Sequence, residues 1–309
     1  MVVNEMEVIL IVIPAFIIFG LGYIGQKTIG FDHRSLASAS LYLMYPFLAF
    51  QTFYENDVTL EYLYIVVFCV ALMVILIGGS MLLAKLRNQP RSMSSAYILA
   101  GVFMNSGNYG VPIILFAFGE AGVDYAIIMM VVQSLLMNTV GLYYAARGSK
   151  TTTLSMKDSL VKIAKMPINH AVVIGLLVQF LDVRMPDFIM QAVDLIAAAT
   201  IPTIMIALGM QLATLKKGHV KNSDLAGIFT LRFVVSPLVA LVLTLVLGLD
   251  PMLSSILIVL AAMPTAANTT MYALQFNTEP ELVSYSTLVT TVVSIGTVPL
   301  MLWLVGAVA

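Results

Sequence analysis

The chain has 309 residues, of which 60% are hydrophobic and 10% charged, and its formal net charge is −1. A soluble domain carries about 25% charged residues, so this composition indicates an integral membrane protein and excludes an ordinary soluble enzyme. We expect the lipid bilayer, and no nucleic acid, among its partners. The single cysteine, Cys69, excludes a disulfide framework and a cysteine-based metal site, and we expect neither a metal nor a cofactor.

Ten apolar segments are candidates for membrane-spanning helices, because about 20 apolar residues cross a bilayer as a helix. The sixth segment is the shortest, and no alternating pattern suggests a barrel. The sequence therefore predicts an all-α integral membrane protein with ten transmembrane helices. In chain order the predicted spans are approximately 6–26, 36–54, 60–84, 95–119, 122–146, 168–182, 187–213, 224–247, 252–276 and 281–305.

The loops between these spans alternate in charge. Of the 15 lysines and arginines, 13 fall in the loops that follow spans one, three, five and seven. The opposite loops are acidic, with Arg184 as their single cation. The positive-inside rule then predicts a multi-pass protein of the cell (plasma) membrane, with the basic loops in the cytoplasm and both termini extracytoplasmic.

Two of the predicted spans are interrupted by residues that do not continue a regular helix. Span four contains Asn105-Ser106-Gly107-Asn108-Tyr109-Gly110-Val111-Pro112, and span nine contains Met263-Pro264-Thr265-Ala266-Ala267-Asn268. Glycine and proline both disfavour a helix interior. Interrupted hydrophobic segments at matching positions in two halves are the best sequence indication of a transporter's substrate site.

The two interruptions also indicate an internal duplication. Asn108 and Asn268 lie 160 positions apart, and so do Ser95 and Ser255. Five spans per half is an odd number, so the two halves must insert with opposite orientations. We therefore predict two inverted five-helix repeats, 1–150 and 151–309, with a site at the interface between them.

Breaking a helix inside a membrane exposes backbone groups that need partners, so such a break must lie within protein or beside a water-filled cavity. The freed N–H groups at the start of a second half-helix carry partial positive charge and suit a carboxylate. Pro112 and Pro264 fit a first helical turn. Polar side chains at the breaks can cap the helix ends or line a pocket; these are Asn105, Asn108, Thr265, Asn268 and Thr269.

The two interruptions contain no Asp, Glu, Lys or His, which disfavours a proton antiporter built on paired carboxylates. Asp194 in span seven and Arg232 in span eight are charged residues that lie a turn or more inside their predicted spans. A charge near mid-bilayer costs at least about 2.5–3.5 kcal/mol and should be paired or face water. We consider three possibilities: the two residues pair, Arg232 binds the substrate's negative charge, or both extend to the membrane surface. Coupling through Asp194, or through a bound sodium ion, is also open.

The residues at the first interruption carry a family resemblance. Gly107-Asn108-Tyr109-Gly110-Val111-Pro112 is similar to the G-N-x-G-x-P element of the auxin efflux carrier family, which includes plant PIN-type and bacterial malate-permease-like carriers. The resemblance covers essentially the whole chain. Further segments that match the family are Met166-Pro167, Gly175-Leu176, Leu208-Gly209-Met210-Gln211-Leu212, Ala262-Met263-Pro264-Thr265-Ala266, Ser286-Thr287-Leu288 and Thr297-Val298-Pro299.

The resemblance implies a ten-helix transporter in which helices four and nine are broken and cross. Spans one, two, six and seven would form a scaffold, and spans three to five and eight to ten a moving transport domain. It also implies a possible homodimer through the scaffold spans. The long cytoplasmic loop of many plant members is absent. The substrate-binding residues expected at the crossover are Asn105, Asn108, Tyr109, Gly110, Pro112, Pro264, Thr265 and Asn268.

These observations favour a secondary transporter of small organic anions, such as malate or auxin-like acids, that works by alternating access. Two alternatives are a sodium-coupled bile-acid-type symporter, which sodium dependence of uptake would identify, and a passive anion channel. A membrane enzyme is disfavoured, because no nucleophile–base or metal-binding constellation occurs at a consistent depth.

Overall fold

The computed structural model describes residues 5–57, 59–149, 165–214 and 220–306, and these are almost entirely helical. Part of the predicted charge alternation, and the predicted boundary between the repeats, lies outside these residues. The lysines concerned are Lys150, Lys157, Lys162, Lys216 and Lys217.

We number the α-helices of the described residues in chain order. The first seven are α1 Glu5–Thr28, α2 His33–Ala39, α3 Tyr45–Glu55, α4 Leu60–Leu86, α5 Arg91–Val102, α6 Val111–Leu136 and α7 Leu142–Gly148. The next seven are α8 Pro167–Phe180, α9 Asp187–Thr214, α10 Asn222–Thr230, α11 Ser236–Leu247, α12 Pro251–Ala261, α13 Ala267–Phe276 and α14 Pro280–Leu304. Wider, π-helical turns are found at Ser40–Met44, Ser106–Gly110, Met137–Gly141 and Leu231–Val235.

Five helical segments among the described residues are long and apolar enough to cross a membrane. Two shorter apolar helices, α8 and α12, accompany them. The composition and these lengths together establish an all-α membrane protein. The five long segments are Leu60–Leu86, Ser106–Gly148, Asp187–Thr214, Asn222–Leu247 and Pro280–Leu304.

The longest of these segments contains a sharp bend. Gly119, inside α6, has φ 70° and ψ −168°, a conformation that interrupts the helix and that glycine adopts easily. The bend falls at the end of predicted span four, and predicted span five follows it. Residues on the two sides of Gly119 therefore belong to two differently directed helices.

The helices pack in two groups. In the first group, α1 lies against α9, and α3 lies against both α8 and α9. In the second group, α4 packs against α5, α6 and α11, while α12 packs against α6 and α11, and α14 packs against α5 and α13. Helix α1 also contacts α6 and α14, so it lies between the two groups.

Two glycines bring the backbones of α1 and α9 into contact. A Cβ on Gly22 would collide with the carbonyl oxygen of Ile206, and a Cβ on Gly209 would collide with the carbonyl oxygen of Phe19. Small residues allow this close approach, which is a common basis of helix association in membranes. The close contact between α1 and α9 therefore requires glycine at both positions, because any side chain would meet the backbone of the facing helix.

Both interruptions predicted from the sequence are breaks in helices. Helix α5 ends at Val102, Phe103 is extended, and a helical turn resumes at Ser106. Helix α12 ends at Ala261 and α13 begins at Ala267. The chain leaves the helix over residues 103–105 in the first segment and over residues 262–266 in the second.

The two broken segments pair with each other in an antiparallel bridge between Met104 and Thr265. The backbone N–H of Asn105 donates to the carbonyl of Pro264 at 2.8 Å. The backbone N–H of Ala266 donates to the carbonyl of Phe103 at 2.9 Å. Each break therefore supplies backbone hydrogen-bond partners for the other.

Thr265 connects the second break to two further helices. Its side chain is fully buried, and its hydroxyl donates to the carbonyl of Ala100 in α5 at 2.7 Å. Its backbone N–H donates to the hydroxyl of Thr290 in α14 at 3.2 Å. Thr265 thus satisfies a carbonyl near the end of α5 that has no partner within that helix.

We predict that Gly22→Ala destabilises the protein, because the added methyl group meets the backbone of α9, which cannot rotate away. Overpacking of this kind costs about 1–3 kcal/mol. The melting temperature in detergent should fall. Gly20→Ala, two residues away where a Cβ meets nothing within 4 Å, is the control and should be neutral or slightly stabilising. Equal melting temperatures for the two variants would contradict the close approach.

We predict that Thr265→Val, which keeps the shape of the side chain, also lowers the melting temperature. The substitution leaves the buried carbonyl of Ala100 without this donor, which costs about 1–3 kcal/mol. Thr230→Val is the control, because the exposed hydroxyl of Thr230 donates only to Ala226 in its own helix. A loss of stability no larger than that of the control would argue against the link between the breaks.

Candidate substrate site

A cavity lies beside the paired breaks. Its empty volume is about 590 Å³, including space that opens to solvent. None of the described residues that line it is charged. They come from both breaks, from α3 and the turn before it, from α6 and the turn after it, and from the start of α8: Leu41, Tyr45, Phe103, Met104, Asn105, Ser106, Gly107, Asn108, Met130, Gln133, Ser134, Met137, Met166, Ile168, Ala266, Ala267 and Asn268.

Three of the predicted substrate-binding residues, all asparagines, line this cavity: Asn105, Asn108 and Asn268. Asn105 is 6% exposed, and its side-chain nitrogen Nδ2 is buried without a hydrogen-bond partner among the described residues. Leaving a buried donor unpaired costs about 1–3 kcal/mol. Asn105 also lines the cavity, so a ligand that accepts a hydrogen bond from this nitrogen after rotation of the side chain would recover this cost.

The other five predicted residues form the breaks and do not line the cavity. The hydroxyl oxygen of Tyr109 accepts a hydrogen bond from Ser294 at 2.8 Å, and its ring stacks on Phe19 with the ring centres 5.3 Å apart. Pro112 is buried in the first turn of α6. Pro264 and Thr265 make the bridge contacts described above.

Gly110 and Gly107 allow close packing around the first break. A Cβ on Gly110 would lie 2.6 Å from a methyl carbon of Leu260 in α12. A Cβ on Gly107 would lie 2.9 Å from the sulfur of Met130 and 3.2 Å from the hydroxyl oxygen of Tyr45. Gly110 therefore permits close packing of the two broken helices, and Gly107 permits close packing of the first break against Met130 and Tyr45.

The first turns of two helical segments contribute to the cavity wall. Ser106, Gly107 and Asn108 open one of them, and Ala267 and Asn268 open α13. The first N–H groups of a helix have no acceptor within it. Each helix N-terminus also carries about half a positive elementary charge. The cavity thus combines amide donors with partial positive charge.

The sequence prediction missed cavity residues that lie outside the two interruptions. Gln133, which is 5% exposed, and Ser134 contribute from α6, and Met130 and Met137 lie one turn to either side of them. A glutamine and a serine in the middle of predicted span five were the available signal. The methionines offered none, because methionine is common in any apolar helix contact.

Arg232, in the turn between α10 and α11, is fully buried and binds backbone carbonyls. Its Nη1 donates to the carbonyls of Gly101 and Val102 at 3.1 and 3.0 Å. Its Nη2 donates to the carbonyl of Ala261 at 2.5 Å and to the hydroxyl of Ser236 at 2.8 Å. The guanidinium group therefore joins the C-terminal ends of α5 and α12.

The structure does not bring Asp194 and Arg232 together. The carboxylate of Asp194 in α9 accepts a hydrogen bond from the side-chain amide of Gln51 at 2.9 Å. Among the described residues, Arg87 and Asp224 form the one ion pair, at 3.8 Å. The predicted Asp194–Arg232 pair is not formed, since Asp194 is bound by Gln51 and Arg232 by the helix ends and Ser236.

The described ranges contain no group of three or more His, Cys, Asp or Glu side chains that could hold a metal ion. The polar side chains that line the cavity are those of asparagines, a glutamine, serines and Tyr45, all of them neutral.

Comparisons with known proteins place the chain among transporters. A family model described as "Membrane transport protein" matches residues 7–302. An "Uncharacterized transporter" of Methanocaldococcus jannaschii is 29% identical over 212 residues, 67% of each chain. Another of Methanothermobacter thermautotrophicus is 24% identical over 300 residues, 96% of this chain and 95% of that protein.

A third relative has a substrate in its name. A protein of Rhizobium meliloti named "Putative malonate transporter" is 27% identical over 210 residues, 67% of this chain and 65% of that protein. The family model spans almost the whole chain, and the relatives are transporters rather than enzymes. The predicted resemblance is therefore confirmed: the chain belongs to the membrane transport protein family of auxin efflux carrier-like proteins and is a multi-pass membrane transporter.

Proposed function

We propose that this protein is a secondary transporter that carries small carboxylates across the cell membrane by alternating access. The substrate binds in the cavity beside the paired helix breaks. The observation that carries this proposal is the buried, unpaired Nδ2 of Asn105 in the wall of an uncharged cavity that two helix N-termini also line. A carboxylate accepts hydrogen bonds and is attracted to both helix ends.

The chemistry of the cavity lining supports a small organic acid as the substrate. The lining supplies apolar surface from methionines together with amide and hydroxyl groups, so one part of the ligand can be polar and the other part apolar. A malonate-like acid is consistent with the name of one relative.

The alternating-access mechanism requires two bodies that move relative to each other. We assign α1, α3, α8 and α9 to a scaffold and the remaining long helices to a transport domain. Contacts within each group outnumber those between the groups, which supports the assignment. In this proposal the ten spans form two inverted five-helix repeats, and the broken helices α5–α6 and α12–α13 occupy equivalent positions.

The positive-inside rule indicates which side of the membrane the cavity is closer to. It is lined by Leu41 and Ile168, which lie at the beginnings of predicted spans two and six, close to the predicted cytoplasmic loops. We therefore assign this conformation to the inward-facing state, with both termini extracytoplasmic. Dimerisation through the scaffold remains a prediction.

Replacing the unpaired donor of Asn105 by an acceptor should weaken carboxylate binding. Asn105→Asp keeps the size of the side chain but presents negative charge to the ligand. Loss of a hydrogen bond to a charged group costs about 1.5–3 kcal/mol, a weakening of roughly tenfold to a hundredfold. The measurement is the thermal stabilisation of purified protein by malonate and other small acids.

The control for this experiment is Asn222→Asp, because Asn222 is exposed at the start of α10. It should leave the ligand-induced shift unchanged. If Asn105→Asp folds and still shows the full shift, the carboxylate does not bind at Asn105.

The other two cavity asparagines should be needed for transport but not for folding. Asn108→Ala and Asn268→Ala each remove side-chain donors next to a helix N-terminus, so uptake of a labelled carboxylate into proteoliposomes should fall by roughly tenfold or more. Asn222→Ala is the matched control. Wild-type uptake rates in both variants would place the substrate elsewhere.

A further inference from the structure

We propose that Arg232 is a built-in counter-charge for the two broken helices, occupying the place where a free coupling cation would otherwise bind. Removing its side chain would open a site for an external monovalent cation or guanidinium ion. The effect of this site on transport rests on the proposed function, whereas its effect on stability does not.

Arg232 donates hydrogen bonds to carbonyls at the C-terminal ends of both helices. The last carbonyls of a helix have no donor within it. At the end of α5, the carbonyls of Gly101 and Val102 are bound by Nη1. At the end of α12, the carbonyl of Ala261 is bound by Nη2 and also by the hydroxyl of Ser236 at 2.7 Å.

The charge of Arg232 matches what the two helix ends supply. A helix C-terminus carries about half a negative elementary charge, so two of them together amount to about one. The described residues within salt-bridge distance of Arg232 include no carboxylate, although its side chain is fully buried. A buried cation is tolerated only when it is compensated. The helix ends and Ser236 provide that compensation through the two terminal nitrogens, while Nε is buried without a partner among the described residues.

Converging carbonyl oxygens and a hydroxyl are also the ligands that a monovalent cation would use. In transporters with broken helices, unwound carbonyls and half-helix C-terminal ends coordinate coupling ions. Here three such carbonyls and Ser236 are already bound by one guanidinium group. Sodium therefore cannot bind at this position while Arg232 is present. We expect transport by the wild-type protein to proceed without sodium.

The test compares wild type, Arg232→Ala, Arg232→Lys and the exposed control Arg184→Ala. Melting temperatures in detergent are measured with sodium, guanidinium or choline chloride at equal, low ionic strength. Wild type and Arg184→Ala should not distinguish the salts. Arg232→Ala should be less stable in choline and should regain stability saturably with guanidinium, at concentrations far below denaturing ones.

The second measurement is transport of labelled carboxylate into proteoliposomes by the same four proteins in the same salts. Arg232→Ala should lose roughly tenfold or more of its rate, since several buried carbonyls lose their donor. Guanidinium should restore part of that rate. Arg232→Lys retains the charge but not the planar fork, so it should be slower than wild type and should not respond to guanidinium.

Two results would overturn the proposal. One is a saturable increase of wild-type stability or transport by sodium relative to choline, and wild type can be measured even if Arg232→Ala does not fold. The other is an Arg232→Ala or Arg232→Lys protein that has wild-type stability in choline. If no carboxylate is transported by any protein but the stability results follow the expected series, the proposed function fails and the role of Arg232 stands.

Discussion

The structure depends on one constraint, which is that every backbone polar group inside an apolar bundle needs a partner. Two interrupted helices would violate it if they lay apart. They satisfy it by lying together, because Asn105 binds Pro264, Ala266 binds Phe103, and Thr265 binds Ala100. The breaks are therefore stable as a pair, and an isolated break would leave those groups unsatisfied.

At each break, the carbonyl end of one half-helix and the amide end of the next have different surroundings, and this difference sets the chemistry of the candidate site. The carbonyls at the C-terminal ends of α5 and α12 accept hydrogen bonds from Arg232, Ser236 and Thr265, all of which are buried. The amide ends lie in the wall of the cavity. The protein thus neutralises the negative ends with its own cation, and under the proposed function the partial positive charge of the amide ends is what attracts a carboxylate.

The side chains of the interruptions divide into those that pack against neighbouring helices and those that line the cavity. Tyr109 and Thr265 bind side chains or carbonyls of other helices, whereas the three asparagine side chains line the cavity. Residues next to each other in the sequence thus have different roles. Packing and binding can then be altered separately by substitution, even though the two kinds of residue are only one position apart.

The sequence alone determined the membrane class and the positions of both helix breaks, and it predicted a neutral polar candidate site, because composition, proline and glycine act locally. It could not determine that Tyr109 contacts Ser294, that Gln133 lines the cavity, or that Arg232 binds Gly101 and Ala261 instead of Asp194. Those contacts join residues far apart along the chain, and their partners are largely backbone carbonyls, which every residue carries. Only the tertiary structure decides which carbonyls are left without a donor at a helix end, and therefore where a buried charge is stable.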